Sequence, residues 1–252
     1  MPYLIPHRTI KLYGWRARLG IVLASPNAVF EAEAFKLVPE GVSCHYTRLP
    51  YREISGKGKA EMVSIASETA LLLSGGTNAV GVDIVCFTHA GASMSAGIEG
   101  DKRLVKEMQE VTGVKATTTA SCVTRAIKHL KAHHIAVMIP YNSIEAFAPV
   151  QRYLEASGLE VVTLKNGGFN TAAQVSSQPP EMTYRMLRDM DTPKVEAFLM
   201  AVPNMRTIEI IDKLERETGK PVVTGTIATI WNCLRELDIK DGIEGYGRLL
   251  ES

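Results

Sequence analysis

The chain has 252 residues, 46% hydrophobic and 22% charged, with 28 Lys plus Arg against 27 Asp plus Glu and a formal net charge of +1. That length supports one large or two small cores, and so even a balance offers no electrostatic footprint for nucleic acid or an anionic membrane. No apolar run reaches the roughly 18 residues of a membrane-spanning helix, and the opening MPYLIPHRTIKLYGWRARLG lacks the apolar core of a secretory signal, so a cytoplasmic protein is expected.

In chain order, short apolar runs predict strands at Leu19–Ala24, Gly41–Tyr46, Asp83–Phe87, Ile135–Ile139, Glu160–Leu164, Ala197–Val202 and Pro221–Val223. They are rich in Val, Ile and Leu and continuous rather than alternating, the pattern of strands covered on both faces. Helical patterns lie between them. The first runs from Lys59 to Leu73 and is stopped by Gly75-Gly76. Others cover Leu104–Val111, Ser121–Ala132, Ile144–Ala156, Met182–Met190, Thr207–Glu217 and Ile227–Leu237. Strand and helix in alternation predict an α/β fold of parallel sheets with right-handed crossovers.

The chain also repeats itself. VKEMQEVTGVKATTTASCVTRAIKHL and DKLERETGKPVVTGTIATIWNCLREL share an order: amphipathic helix, Thr-Gly stop, short strand, Thr-rich loop, helix. Thr112-Gly113 corresponds to Thr218-Gly219. Two similar lobes follow, roughly 19–120 with 225–252 and roughly 121–224, forming one unit with no linker between them. Ligands of open parallel sheets bind beyond the C-terminal strand ends. Two facing lobes would therefore oppose the segments near His89 and near Val202-Pro203-Asn204 across one cleft.

Several residues at such strand ends can carry chemistry. His89 follows DIVCF, and an imidazole titrates near working pH; the bland alternative is a loop histidine bonded to backbone. In the AGAS segment after it, Gly91, Ala92 and Ser93 would leave amides open to an oxyanion or carboxylate. Asn204-Met205-Arg206-Thr207 would open a helix after Pro203. Tyr141 ends the IAVMI strand, where its hydroxyl can donate to an oxyanion or simply pack. Asn27 either caps the next helix or offers its amide to a ligand. Lys165–Asn170 is glycine-rich without a phosphate-loop pattern and is expected to be a flexible loop, a lid in function. His129, His133 and His134 are expected as cationic helix-end residues. Cys44, Cys86, Cys122 and Cys233 have no metal-site spacing and are expected as free, mostly buried thiols. No metal or organic cofactor is expected.

Taken together these motifs resemble the aspartate/glutamate racemase superfamily, in particular its maleate isomerase and arylmalonate decarboxylase branch. The resemblance rests on LGIVLASPNAVFEAEAFKLVPEGVSCHYTR, VTGVKATTTASCV, MIPY and PVVTGTIATIWNCLRELDI with GYGRLLES, and covers nearly the whole chain. It implies two Rossmann-like lobes with parallel four-stranded sheets, a pseudo-twofold, a site in the cleft and self-association into a homo-oligomer. It places Asn27 in substrate binding and Tyr141 at the carboxylate or oxyanion. The racemases and isomerases of that family place a cysteine in each lobe's loop, in patterns like CTSGS and CTNMRT, whereas its decarboxylases keep the second cysteine and have Gly at the first position. Those patterns overlay on His89-Ala90-Gly91-Ala92-Ser93 and on Val202-Pro203-Asn204-Met205-Arg206-Thr207, so His89 and Val202 stand at the two thiol positions.

A two-base racemase needs a proton carrier on each face of the substrate carbon, and valine carries none. The resemblance thus leaves one-sided acid/base chemistry by His89 with Tyr141, beside a carboxylate pocket of Asn27, Ala90, Gly91, Ser93, Val202, Pro203 and Asn204. The expected protein is a cofactor-independent lyase or isomerase of a small carboxylate. The alternative is a carboxylate-binding protein of the same fold without turnover.

Overall fold

The computed structural model describes residues 13–53, 55–74, 80–142 and 144–252, for 144–146 the backbone alone. The first half holds β1 (Ala17–Ala24), α1 (Phe30–Leu37), β2 (Val42–Leu49), α2 (Gly56–Ser74), β3 (Ile84–Thr88), α3 (Ala90–Ser95), α4 (Gly97–Thr112), β4 (Lys115–Thr118) and α5 (Thr119–His129). The second half holds β5 (His134–Tyr141), α6 (Ile144–Ala156), β6 (Glu160–Phe169), α7 (Ala172–Ser176), α8 (Pro180–Arg188), β7 (Ala197–Met200), α9 (Ile211–Thr218), β8 (Val222–Thr224), α10 (Gly225–Glu236) and α11 (Arg248–Glu251). Every predicted strand is present, and the short strand inside the first repeat is β4. The predicted Gly75-Gly76 stop and the first twelve residues lie outside the described residues. No described helix is long and apolar enough to cross a membrane.

The strands form two four-stranded sheets, ordered β2-β1-β3-β4 and β6-β5-β7-β8, with every pairing parallel. The order is the same in both, as the repeat requires. Each sheet reverses direction of growth between its first and third strand, which opens a crevice at their C-terminal ends. The repeat extends to single atoms. Gly113 and Gly219 end α4 and α9 in the left-handed region, at φ 72° and 73°, where a side chain would be strained. Thr118 and Thr224 cap α5 and α10, their hydroxyls accepting the amides of Ser121 and Ile227. The expected Thr-rich loops therefore do not exist. Each strand passes into its helix through one capping threonine.

The lobes share a core. One apolar cluster runs from Leu19, Ile21 and Leu23 of β1 through Val123 and Ile127 of α5 and Ile227 and Ile230 of α10 to Val137 of β5 and Leu199 of β7. A second, smaller cluster lies under α2 and α4. α5 and α10 pack on each other, and each touches both β3 and β8. Thr119 and Thr229 join the two helices, their hydroxyl oxygens 2.9 Å apart.

Polar bonds also cross between lobes. Asp101 of α4 is buried and accepts from Thr118 Oγ1, Ser121 Oγ and Tyr153 OH, each at 2.7 Å. Tyr153 belongs to α6, so one carboxylate ties the second lobe to the start of α5. Replacing it by alanine orphans three buried or half-buried hydroxyls, each costing on the order of 1 kcal/mol or more. Asp101→Ala is expected to lower the unfolding free energy by about 2–4 kcal/mol, and Asp101→Asn by clearly less, since one oxygen remains to accept; urea unfolding of both variants checks the order.

Candidate active site

The crevices of the two sheets meet in one chamber of about 320 Å³. Its wall is built from the residues after four strands. Pro26 and Asn27 follow β1, Thr88 to Gly91 end and follow β3, Tyr141 ends β5, and Ala201 to Asn204 follow β7. The sequence-predicted His89, Tyr141, Asn27, Ala90, Gly91, Val202, Pro203 and Asn204 all line it. His89 and Val202, after the third strand of each sheet, therefore share one cavity. Among the described residues no cysteine, aspartate or glutamate lines it.

Ser93 is the exception. Residues 90–95 coil into α3 instead of forming an open loop, so Ala90, Gly91, Met94 and Ser95 share the face on the chamber. Ser93 turns away and is fully buried, its hydroxyl without a described partner. The predicted open amides are also altered. The N–H groups of Ala92 and Ser93 donate to the His89 carbonyl at 3.0 and 3.2 Å.

His89 itself is the N-cap of α3. Its Nδ1 accepts the Ala92 amide at 3.0 Å. A backbone N–H can only donate, so Nδ1 carries no proton and the neutral ring is the Nε2–H tautomer. Burial, reinforced by the neighbouring Lys59 ammonium, pushes His89 from the ordinary 6.5 down to about 4. The ring is half-buried, stacks on Phe87 at 6.5 Å and meets the edge of Tyr51 at 5.0 Å. No described residue accepts the Nε2 proton.

Asn27 and Asn204 serve the frame as well as the wall. Asn27 Oδ1 accepts from Val29 and Phe30, capping α1 as one of its two expected roles, while Nδ2 donates to the Pro203 carbonyl at 2.9 Å. Asn204 Oδ1 accepts the Ala28 amide at 2.9 Å, and Nδ2 donates to Ala172 O at 3.2 Å. The ends of β1 and β7 are thus tied to each other. Burial pushes the Tyr141 phenol up, and a bond with Asn204 opposes that shift; at neutral pH Tyr141 is a hydrogen-bond donor.

Three further expectations are corrected. Residues 204–207 do not open a helix, because Glu33 of α1 takes the Thr207 and Ile208 amides at 2.6 and 3.2 Å. That tertiary bond displaces the start of α9 to Ile211, and Arg206 pairs with Glu209 at the surface. Lys165–Asn170 is no lid: β6 continues to Phe169, paired with β5 through Asn166↔Ile139 and Phe169↔Tyr141. His134 is not a helix-end cation but opens β5, with Nδ1 at 3.2 Å from Glu196 and Nε2 at 3.4 Å from Glu160. His133, His134 and Glu160 could offer three metal-ligand atoms within 4.8 Å of one another. They stand at the N-terminal strand edge, away from the chamber. Cys86, Cys122 and Cys233 are buried free thiols, as expected, and burial holds the Cys86 and Cys122 thiols well up.

Sequence reasoning missed Tyr51, Ser55 and Lys59, which line the chamber from the β2–α2 connection and the first turn of α2, and Met138, Ile139 and Val150 from β5 and α6. The strand-end rule applied after β2 would have found the first three. The others depend on how the lobes face each other.

Comparisons with known proteins agree with this fold. The family model for arylmalonate decarboxylase matches residues 19–250. Maleate isomerase of Pseudomonas putida is 26% identical over 246 residues, 92% of this chain and 96% of that protein. Maleate isomerase of Nocardia farcinica is 26% identical over 243 residues, 92% and 95%. Among solved structures, the maleate isomerase Iso from Pseudomonas putida S16 superposes with a TM-score of 0.87 at 25% identity, covering 94% of this chain and 98% of that one. Unliganded arylmalonate decarboxylase superposes with a TM-score of 0.78 at 19% identity, 93% and 98%, a likeness of fold. The match begins in β1 and ends in α11, and the chain belongs to the arylmalonate decarboxylase family.

Proposed function

We propose that the protein is an isomerase or lyase of a small carboxylate, working without a metal or organic cofactor through an enolate-like intermediate. The observation that carries this reading is the neutral His89 ring held on the chamber wall by the Ala92 amide. In that tautomer His89 offers Nε2–H rather than a lone pair. It acts as an electrophile that stabilises a developing oxyanion, as neutral imidazoles at helix N-termini do. Tyr141 supplies a second O–H donor. If the overlay of the relatives' thiol positions on His89 and Val202 holds, no thiolate is available for addition or for a second proton transfer. The reading then narrows to decarboxylation, in which the electrons of the breaking C–C bond pass into the enolate held by these donors, CO₂ leaves, and solvent supplies the proton that the carbon takes up; elimination and a proton shift need a base that the described lining does not offer.

The relatives are maleate isomerases, so maleate and phenylmalonate are the first compounds to test. Incubation in D₂O followed by NMR is expected to show deuterium uptake or a new product with one of a panel of small mono- and diacids. Ligand-induced thermal stabilisation with no exchange or turnover across the panel would replace this reading by the binding-only one. His89→Asn keeps an oxygen to cap Ala92 but removes the imidazole. It is expected to fold normally and lose about 10²–10³ in rate; a folded His89→Asn with full rate removes His89 from the mechanism.

The pH profile follows from the tautomer. The active form is the neutral ring, and its folded value of about 4 lies below the ordinary 6.5. Acidification through 6.5 therefore leaves it neutral, and activity is lost only as the pH approaches 4. The acid limb of kcat/KM, which reports the free enzyme, is expected nearer 4 than 6.5. Gly91 gives a separate check. A Cβ there would stand 3.6 Å from His89 Cε1 and 3.9 Å from Lys59 Cε, ordinary contact distances. Gly91→Ala is expected to raise helix stability by up to about 1 kcal/mol while filling space between the two side chains, so Tm holds or rises and kcat/KM falls.

A further inference from the structure

The N-terminal edge of the second sheet gathers His133, His134, Glu160 and Glu196, none of which the proposed chemistry uses. β6 begins at Glu160, β5 at His134, and Glu196 stands just before β7. Main-chain bonds pin these starts to one another. The Glu160 amide donates to the His133 carbonyl at 2.9 Å, and the Glu196 amide to the His134 carbonyl at 2.8 Å. Glu196 Oε2 in turn accepts the His133 and His134 amides at 2.6 and 2.9 Å. The side chains are presented from a backbone of fixed register.

His134 lies between two carboxylates, with Nδ1 3.2 Å from Glu196 Oε1 and Nε2 3.4 Å from Glu160 Oε2. A neutral imidazole has one N–H and one lone pair. With the proton on Nδ1, donated to Glu196, the Nε2 lone pair faces a carboxylate oxygen, a contact that calls for a positive charge between the two. The spacing suits a metal ion better than a proton. An N–H···O bond spans about 2.7–3.2 Å, whereas two ligands about 2.0–2.1 Å from a tetrahedral zinc stand about 3.4 Å apart.

His133 adds a third ligand. It precedes the strand and so escapes the alternation that would send it to the opposite face; its ring lies edge-on to that of His134, with 5.1 Å between centroids. His133, His134 and Glu160 offer ligand atoms all within 4.8 Å of one another, the one such group of His, Cys, Asp and Glu among the described residues. The exposed His133 ring closes on a common centre by rotating about its side-chain bonds.

We propose that this edge is a zinc site, with His134 Nε2, Glu160 and His133 as ligands and water in the fourth position. Glu196 is a positioning residue. It takes the Nδ1 proton and so fixes the tautomer and direction of the His134 lone pair, as carboxylates behind zinc-bound histidines do. Two nitrogens and one oxygen suit zinc rather than calcium or magnesium, which take oxygen. The ion joins β5 to β6 and takes no part in the chemistry at His89. It sits at the N-terminal end of β5, opposite the end that carries Tyr141.

The test titrates zinc into the chelator-treated full chain by calorimetry, with a thermal melt of every protein. Wild type is expected to bind one zinc per chain with a Kd on the order of 1–10 µM, weaker than a closed four-ligand site. At about 100 times that Kd, Tm is expected to rise by about 5–10 °C. His134→Ala, His133→Ala and Glu160→Gln are each expected to weaken binding by at least about 10-fold and to lose the rise in Tm. Glu196→Gln is expected to keep one zinc per chain at about 10-fold lower affinity and to shift the cobalt(II) spectrum; wild-type affinity and spectrum in that variant overturn its positioning role. Cobalt(II) bound to wild type is expected to show no thiolate charge-transfer band, which separates this site from the cysteines. Wild type that binds no zinc up to about 1 mM overturns the proposal, as does a thiolate band or binding undiminished in His133→Ala and Glu160→Gln. Those two variants change exposed side chains and decide the matter if His134→Ala fails to melt cooperatively. The carboxylate reading stands whichever way this test falls.

Discussion

The chamber exists because the ends of β1 and β7 are hydrogen-bonded to each other across the lobes. Asn27 donates to the Pro203 carbonyl while Asn204 accepts from Ala28, a reciprocal pair at the same 2.9 Å. Glu33, one turn further along α1, grips Thr207 and Ile208. Burial raises the Glu33 carboxyl, and the amides it accepts oppose that. These bonds fix how the two sheet crevices face, and with that the positions of His89 and Val202. Each bond is worth about a kcal/mol net; their weight lies in direction, which apolar packing through α5 and α10 cannot supply.

The chemistry of His89 is a consequence of helix capping. A histidine after a buried strand would ordinarily present either nitrogen. Here α3 begins at the next residue, its Ala92 amide occupies Nδ1, and burial keeps the ring neutral. The same small residues that let α3 approach the chamber, Ala90 and Gly91, leave open space on its wall beside His89. Close approach recurs at Gly225, where a Cβ would stand 2.4 Å from the Ala201 carbonyl. Only glycine lets α10 start against the segment that carries Val202.

Much of the architecture was legible because its signals are local. Continuous Val/Ile/Leu runs mark buried parallel strands, and each has its strand in the structure. The two Thr-Gly stops mark left-handed helix ends, and both are found. Chamber-lining residues were legible where they end or closely follow such strands, as with His89, Tyr141, Asn27 and Val202. The errors have a common cause. An extended segment would put Ser93 on the wall, and one helical turn redirects it. Local propensity favours a helix from Thr207 but does not include Glu33, 174 residues away. Composition favours a loop at 165–170, and pairing with β5, a nonlocal bond, leaves no trace in it.

By itself, then, the sequence determined two parallel α/β units, the family they resemble, and a histidine and a valine at the ends of corresponding strands. These follow from periodicity, turn chemistry and motif order, all written in neighbouring residues. Only the tertiary structure decided which nitrogen of His89 bears the proton, which face of α3 lines the chamber, and that Lys59 reaches the same chamber. Those outcomes depend on hydrogen bonds and burial between segments far apart in the chain, and a one-dimensional pattern does not contain them.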